Sequence, residues 1–239
     1  MIFITGDTHN DKTRFSLFDQ FPENKRPGKG DTLIVCGDFG YVYRTEKGEA
    51  EFLDELAALP YTVCFCDGNH EDFTALASYP EEIWCGGKIH RIRPNIIHLM
   101  RGEIFTIEEK SFFAMGGAYS IDKATKLLQG QWWAEELPSN REYETAIRNL
   151  TRHAKKLDYV ISHTAPLSAV RKMGFSPDMH EAELCGFLDW VLLDLAPRGW
   201  FFGHWHRDEV IDEALHGLWF DTVIIGENGA ERIKFENKV

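Results

Sequence analysis

The sequence predicts a layered α/β protein, and three observations carry that prediction. Short apolar runs recur along the chain and end in polar or glycine-rich turns. Stretches of helical period lie between those runs, and 239 residues give room for one large domain. MIFIT at 1–5 and TLIVC at 32–36 read as strands, apolar enough to be buried on both faces. Residues 47–59 place Phe52, Leu53, Leu56 and Leu59 on one helical face, and YTVCFC at 61–66 returns to strand. The stretch 72–139 is the least regular and reads as an irregular insert on the core fold, relieved by a strand at SFFAM, 111–115. Residues 140–157 give the clearest helix: Ser139 and Glu142 form a capping box, and Tyr143, Ile147, Leu150, Ala154 and Leu157 recur at steps of four and three. DYVIS at 158–162 is the next strand. A helix over 181–195 carries Leu184, Phe187, Leu188, Val191, Leu192 and Leu195, and strands at GWFF, 199–202, and LWFDTVII, 218–225, complete the pattern. No linker or internal repeat interrupts it, so residues 1–239 are expected to form a single domain.

Charge narrows the function. Lys and Arg number 26 against 38 Asp and Glu, a formal −12, which repels extended nucleic acid and anionic membrane at long range. No run approaches the roughly 18 apolar residues of a membrane span, and the start has no basic region followed by a long apolar one, so a cytoplasmic location is expected. The five cysteines lack framework spacing, and Cys36, Cys64 and Cys66, in apolar strand-like runs, read as small buried hydrophobes; the Cys64-x-Cys66 pair has no second pair to complete a metal site.

The chemistry lies just after the strands. Gly6-Asp7-Thr8-His9, Gly37-Asp38, Gly68-Asn69-His70-Glu71, His163 and Gly203-His204-Trp205-His206 each follow a predicted strand, where the loops of an α/β sheet converge on ligands. Asp7 and His9 are two apart, as are His204 and His206, so each pair can point to one side of an extended loop. Asp7, His9, Asp38, Asn69, His163, His204 and His206 offer more donors than one tetrahedral ion takes. Imidazole mixed with carboxylate suits two divalent transition-metal ions such as Mn, Fe, Zn or Ni rather than Ca or Mg. Glycines before Asp7, Asp38, Asn69 and His204 permit close backbone approach there.

In this order the blocks resemble the signature of the calcineurin-like metallophosphoesterase superfamily: D-x-H, G-D, G-N-H-[ED], H, G-H-x-H. The resemblance implies a four-layer αββα sandwich of two mixed sheets flanked by helices. It also implies a dinuclear centre, with Asp7, His9 and His206 on the first metal, Asn69, His163 and His204 on the second, and Asp38 bridging. His70 would contact the phosphoryl group, along with Asn69, and protonate the leaving oxygen. The expected reaction is hydrolysis of a phosphomonoester or phosphodiester by attack of hydroxide held at the metals.

Protein Ser/Thr phosphatases of the superfamily continue the second block as G-D-x-x-D-R-G. Here Gly37-Asp38-Phe39-Gly40-Tyr41-Val42-Tyr43-Arg44 departs from it, which disfavours a protein substrate and leaves Asp67 or Glu71 to orient His70. The segments Gly116-Gly117-Ala118-Tyr119-Ser120-Ile121-Asp122-Lys123 and Gln131-Trp132-Trp133-Ala134-Glu135-Glu136 resemble a small bacterial and phage branch. Trp132 could stack a base with Lys123 on a phosphate, or both tryptophans could simply pack. A basic stretch at 86–102, with Lys88, Arg91, Arg93 and Arg101 and no acid, either draws the distal part of an anionic substrate or forms an exposed strand face. His90, His98, His153, His180 and His216 fall outside the blocks and read as structural or surface residues. The expected substrate is therefore a small phosphoester or nucleotide. A nuclease acting on DNA or RNA ends stands as the alternative, and a non-catalytic scaffold is disfavoured because no donor is missing.

Overall fold

The computed structural model describes residues 1–42, 49–153, 157–226 and 229–235. Within them the strands are β1 (Ile2–Thr5), β2 (Thr32–Val35), β3 (Thr62–Phe65), β4 (Glu81–Trp84), β5 (Gly87–Arg93), β6 (Ile96–Leu99), β7 (Glu103–Ile107), β8 (Lys110–Met115), β9 (Tyr159–Ser162), β10 (Gly199–Phe202), β11 (Glu209–Val210), β12 (Leu215–Gly217), β13 (Thr222–Gly226) and β14 (Gly229–Ile233). The α-helices are α1 (Glu49–Ala57), α2 (Phe73–Leu76), α3 (Lys123–Gln129), α4 (Asn140–His153), α5 (Leu167–Lys172) and α6 (Ala182–Leu195).

An eight-stranded sheet runs β14-β13-β1-β2-β3-β6-β5-β4, and a six-stranded sheet runs β11-β12-β10-β9-β8-β7. Alternation along each strand decides what lies between them. Ile2 and Ile4 of β1, Ile34 of β2, Phe112 and Ala114 of β8, Ile161 of β9 and Phe201 of β10 share one buried layer between the sheets. Their sequence neighbours face outward. Phe3, Leu33 and Val35 pack under α1, whereas Phe113, Met115, Val160, Trp200 and Phe202 pack under α4, α5 and α6. The result is the expected αββα sandwich.

The parallel registers position the site. Thr5 pairs with Val35 and Val35 with Phe65, so β1, β2 and β3 end level with one another. In the second sheet Met115 pairs with Ser162 and Ile161 with Phe201, which aligns the ends of β8, β9 and β10. Gly203 N–H donates to the His163 carbonyl at 3.0 Å, keeping the loops after β9 and β10 together.

Two expectations are corrected. The stretch 72–139 is not irregular: it contributes β4, β5 and β6 to the first sheet and β7 and β8 to the second. The last strand begins at Thr222 rather than 218, because the backbone N–H groups of Trp219, Phe220 and Asp221 are taken by the Asp208 carboxylate at 2.8, 3.1 and 2.8 Å instead of a ladder. The capping box forms, with Ser139 N–H donating to Glu142 Oε2 at 2.7 Å. Tyr43 and Arg44 of the second block, residues 47 and 48 of the first expected helix, and Ala154 of the one expected over 140–157 lie outside the described residues. Cys36, Cys64 and Cys66 sit in the layer between the sheets, consistent with packing.

Candidate metal centre

Asp7 is fully buried, and both its carboxylate oxygens accept the backbone N–H of His204 at 3.0 Å. The first sheet is thereby tied to the second through the ligand itself. Arg14 donates to the Asp7 carbonyl, and its other nitrogen donates to the Trp219 carbonyl, which fixes the loop from behind. Asp38 holds the second loop: its carbonyl accepts the N–H groups of Thr8 and His9 at 3.1 and 2.8 Å, and its Oδ1 accepts the His70 N–H at 2.7 Å.

Around these carboxylates stand the imidazoles. His206 Nε2 lies 3.1 Å from Asp7 Oδ2, and His9 Nε2 lies 3.6 Å from both Asp7 Oδ2 and Asp38 Oδ2. His163 Nε2 lies 3.4 Å from Asp38 Oδ1 and 3.1 Å from Asn69 Oδ1. Two ligand atoms bound about 2.0–2.2 Å from one ion sit roughly 3.0–3.5 Å apart, so this spacing is what a metal shell needs. His163 Nδ1 lies 2.9 Å from the Cys36 carbonyl; donating there leaves Nε2 as the ligand atom, the second-sphere arrangement that fixes an imidazole tautomer. His204 stands beside His163, ring centroids 5.0 Å apart, and His206 stacks on Trp219 at 4.9 Å and 15°.

Asp7, His9 and His206 can each offer a ligand atom within 4.8 Å of the others, as can Asp7, Asp38 and His163, and His9, Asp38 and His70. His204 belongs to none of these three groups and reaches the centre beside His163 instead. The loops turn sharply to achieve this: His9, Asp38, His204 and His206 all have positive φ, 45°, 44°, 61° and 49°, a region uncommon for residues other than glycine. Close approach also explains the preceding glycines. A Cβ at Gly203 would sit on Asp7 Oδ1, and one at Gly68 on Asp38 Oδ1.

The electrostatics follow from burial and partners. Burial works to raise the Asp7 carboxyl, but His206 and His9 reverse it and hold the group well below the usual carboxylate range. Asp38 behaves likewise, with His163 the foremost opposing partner. Burial opposes charge on His163, yet Asp38 and Asp7 push its imidazole up to about 10. Burial and the neighbouring His163 push His204 down to about 3. His70 is lowered chiefly by burial, with Asp38 opposing. Among the described residues the ion-pair partners of Asp7 and Asp38 are histidines alone. Two buried carboxylates ringed by imidazoles, with neither Lys nor Arg paired to them, fit a divalent transition metal.

The groups considered for orienting His70 are engaged elsewhere. Asp67 is buried against Arg101, whose Nε donates to Oδ2 at 2.7 Å, and against His98 Nε2 at 3.1 Å. Glu71 accepts the N–H groups of Phe39 and Gly40 at 2.7 and 3.3 Å. Both shape the loops rather than the imidazole. The His70 ring meets His9 edge-on, centroids 5.1 Å apart.

In the middle segment, Lys123 Nζ lies 3.8 Å over the Trp132 ring, which brings those two together, while Trp133 Nε1 donates to Thr74 Oγ1 at 2.9 Å. The basic stretch is neutralised in place. Lys88 pairs with Glu81, Arg91 with Glu82, Arg93 with Asp54 and Arg101 with Asp67. The strand-face reading fits Lys88, Arg91 and Arg93 on β5, whereas Arg101 is buried in the turn between β6 and β7. His90 and His98, outside the blocks, join through Nδ1 atoms 3.0 Å apart behind Asp67.

Sequence reasoning missed Ser120, Lys126, Glu136 and Glu181, all buried near the centre. Ser120 and Glu136 lie within the two middle-segment motifs, but nothing in the spacing marks Lys126 or Glu181.

A two-sheet sandwich that delivers buried carboxylates and imidazoles from parallel strand ends to one edge defines a metal-dependent phosphoric ester hydrolase. Residues 1–208 match the profile of the calcineurin-like phosphoesterases, and the chain belongs to that family. Comparison with curated proteins finds no match.

Proposed function

We propose that the protein hydrolyses phosphomono- or phosphodiester bonds of a small-molecule or nucleotide substrate, using two divalent transition-metal ions of the Mn, Fe, Zn or Ni kind. The observation that carries this reading is the sharing of Asp7, His9 and Asp38 among three overlapping ligand groups, more donors than one tetrahedral ion takes. Asp7, His9 and His206 would hold the first ion and Asn69, His163 and His204 the second, with Asp38 between them. When bound, the ions would activate water and neutralise the phosphoryl oxygens. The chain's own residues do the rest. Asp38 fixes His70 through its backbone N–H, and the part-buried His70 imidazole stands beside His9, placed to give a proton to the departing ester oxygen. Asn69 and His70 would meet the phosphoryl group.

The neutralised basic strand argues against a long polyanion, and no helix among the described residues is long and apolar enough to cross a membrane. A cytoplasmic setting agrees with five cysteines all unpaired. The test is metal analysis of the purified protein, then assay with added Mn on aryl phosphomonoesters, aryl phosphodiesters and a nucleotide panel. About two equivalents of metal and metal-dependent turnover are expected; turnover unaffected by chelation would overturn the proposal.

A further inference from the structure

The segment between the third and fourth motif blocks makes its closest approach to the centre at Asn69. Ser120, at the end of the loop after β8, is 1% exposed, and Lys126, on α3, is 5% exposed. Lys126 Nζ donates to the Asn69 carbonyl at 3.0 Å and to Ser120 Oγ at 2.8 Å. Asn69 Nδ2 donates to the same Oγ at 3.1 Å, and Asn69 Oδ1 is left 3.1 Å from His163 Nε2. Ser120 is held in turn by its N–H, which donates to Glu136 Oε1 at 3.2 Å.

The chemistry gives this arrangement a direction. Asparagine can bind a cation only through its carbonyl oxygen, so the amide must be turned with Nδ2 away from the ion. An ammonium can only donate, so Ser120 Oγ accepts from Lys126 and presents its second lone pair to Nδ2. Burying a lysine is unfavourable unless its donors are satisfied, and simple packing would be served by an apolar side chain of the same length.

We infer that Ser120 and Lys126 are positioning residues for Asn69, which makes this middle segment part of the second metal's binding site. The inference rests on the two-metal reading. Its test is Mn²⁺ titration of the full chain, followed by calorimetry and electron paramagnetic resonance, for the wild type, Lys126→Met, Ser120→Ala and Ser120→Thr. The wild type should take up two Mn²⁺ with a spin-coupled signal. Lys126→Met and Ser120→Ala should each weaken one of the two sites by about 10–100-fold, replacing the coupled signal with that of an isolated ion, while Ser120→Thr keeps it. Two sites of unchanged affinity in both variants would overturn the inference. So would equal weakening of both sites accompanied by a lower melting temperature, the mark of a merely structural role. If Lys126→Met does not fold, the milder Ser120→Ala decides. A wild type that binds a single ion refutes the two-metal reading itself, independently of either variant.

Discussion

Asp38 and Asp67 follow neighbouring parallel strands and are both buried, yet they are neutralised in opposite ways. Asp67 has its own cation: Arg101 grips it with two nitrogens and also donates to the Glu135 carbonyl at 2.8 Å, so the pair stitches the loop after β3 to the turn before α4. Asp38 faces His163, His9 and a backbone N–H. Where an arginine supplies a fixed positive charge, as Arg101 does for Asp67, the carboxylate is committed to architecture; where imidazoles that can give up their protons are the only ion-pair partners among the described residues, as at Asp38, the carboxylate is left able to take a cation. Two residues of the same type, a few ångströms of loop apart, thus have different tasks, and substitution should separate them.

The largest effect is expected from Asp38→Asn. The amide keeps an acceptor for the His70 N–H but loses the charge, so turnover should fall by roughly 10³-fold or more, about 4 kcal/mol, with the melting temperature nearly unchanged. Near-wild-type kcat/KM on an aryl phosphate would erase the distinction. Arg101→Met should do the reverse. Leaving Asp67 buried without its partner should cost about 3–5 kcal/mol in urea denaturation while the surviving folded fraction still binds Mn²⁺. A stable Arg101→Met protein that had lost its metal would put Asp67 on the ligand side.

His70→Ala probes the shared loop from the chemical side. Loss should be about 10²-fold on alkyl phosphoesters, whose leaving oxygen needs a proton, and much smaller on activated aryl esters. Equal losses on both would remove His70 from the acid role.

The smallest effect belongs to the architectural side. Burial, with His98 adding to it, pushes the His90 imidazole down to about 4. The folded pKa lies below the unfolded value, so its contribution to stability is present above about pH 6.5 and is lost as pH falls from there toward 4. His90 is partly open to solvent, so the loss at pH 5 should be under about 1 kcal/mol. Urea midpoints at pH 7 and pH 5 should converge in His90→Gln, and an unchanged acid sensitivity would relieve His90 of that role.

Most of the scaffold was legible because central parallel strands are buried on both faces and read as unbroken apolar runs. Among the elements that escaped were the half-buried antiparallel β4 and β5. β5 reads Gly-Lys-Ile-His-Arg-Ile-Arg, and its alternating basic residues suggested a charged patch rather than a strand whose exposed face pairs with acids on β4 and α1. The candidate ligands were legible because two-residue spacing within a loop leaves a local trace. The bracing groups were not: Lys126 reaches Asn69 from 57 positions away, Glu136 holds Ser120 from 16 positions away, and Glu181 reaches His204 from another helix terminus, with Nε2 and Oε1 3.6 Å apart. Only folding brings them together.

The pairing of every arginine and lysine on β5 with an acid has a kinetic consequence. Those side chains therefore offer no free cationic track toward the site, and the chain's excess of acids acts on an approaching anion until it is within a Debye length of the centre. Encounter is therefore an uphill approach into a short-range well. Raising ionic strength should speed substrate capture rather than slow it, the opposite of electrostatic steering.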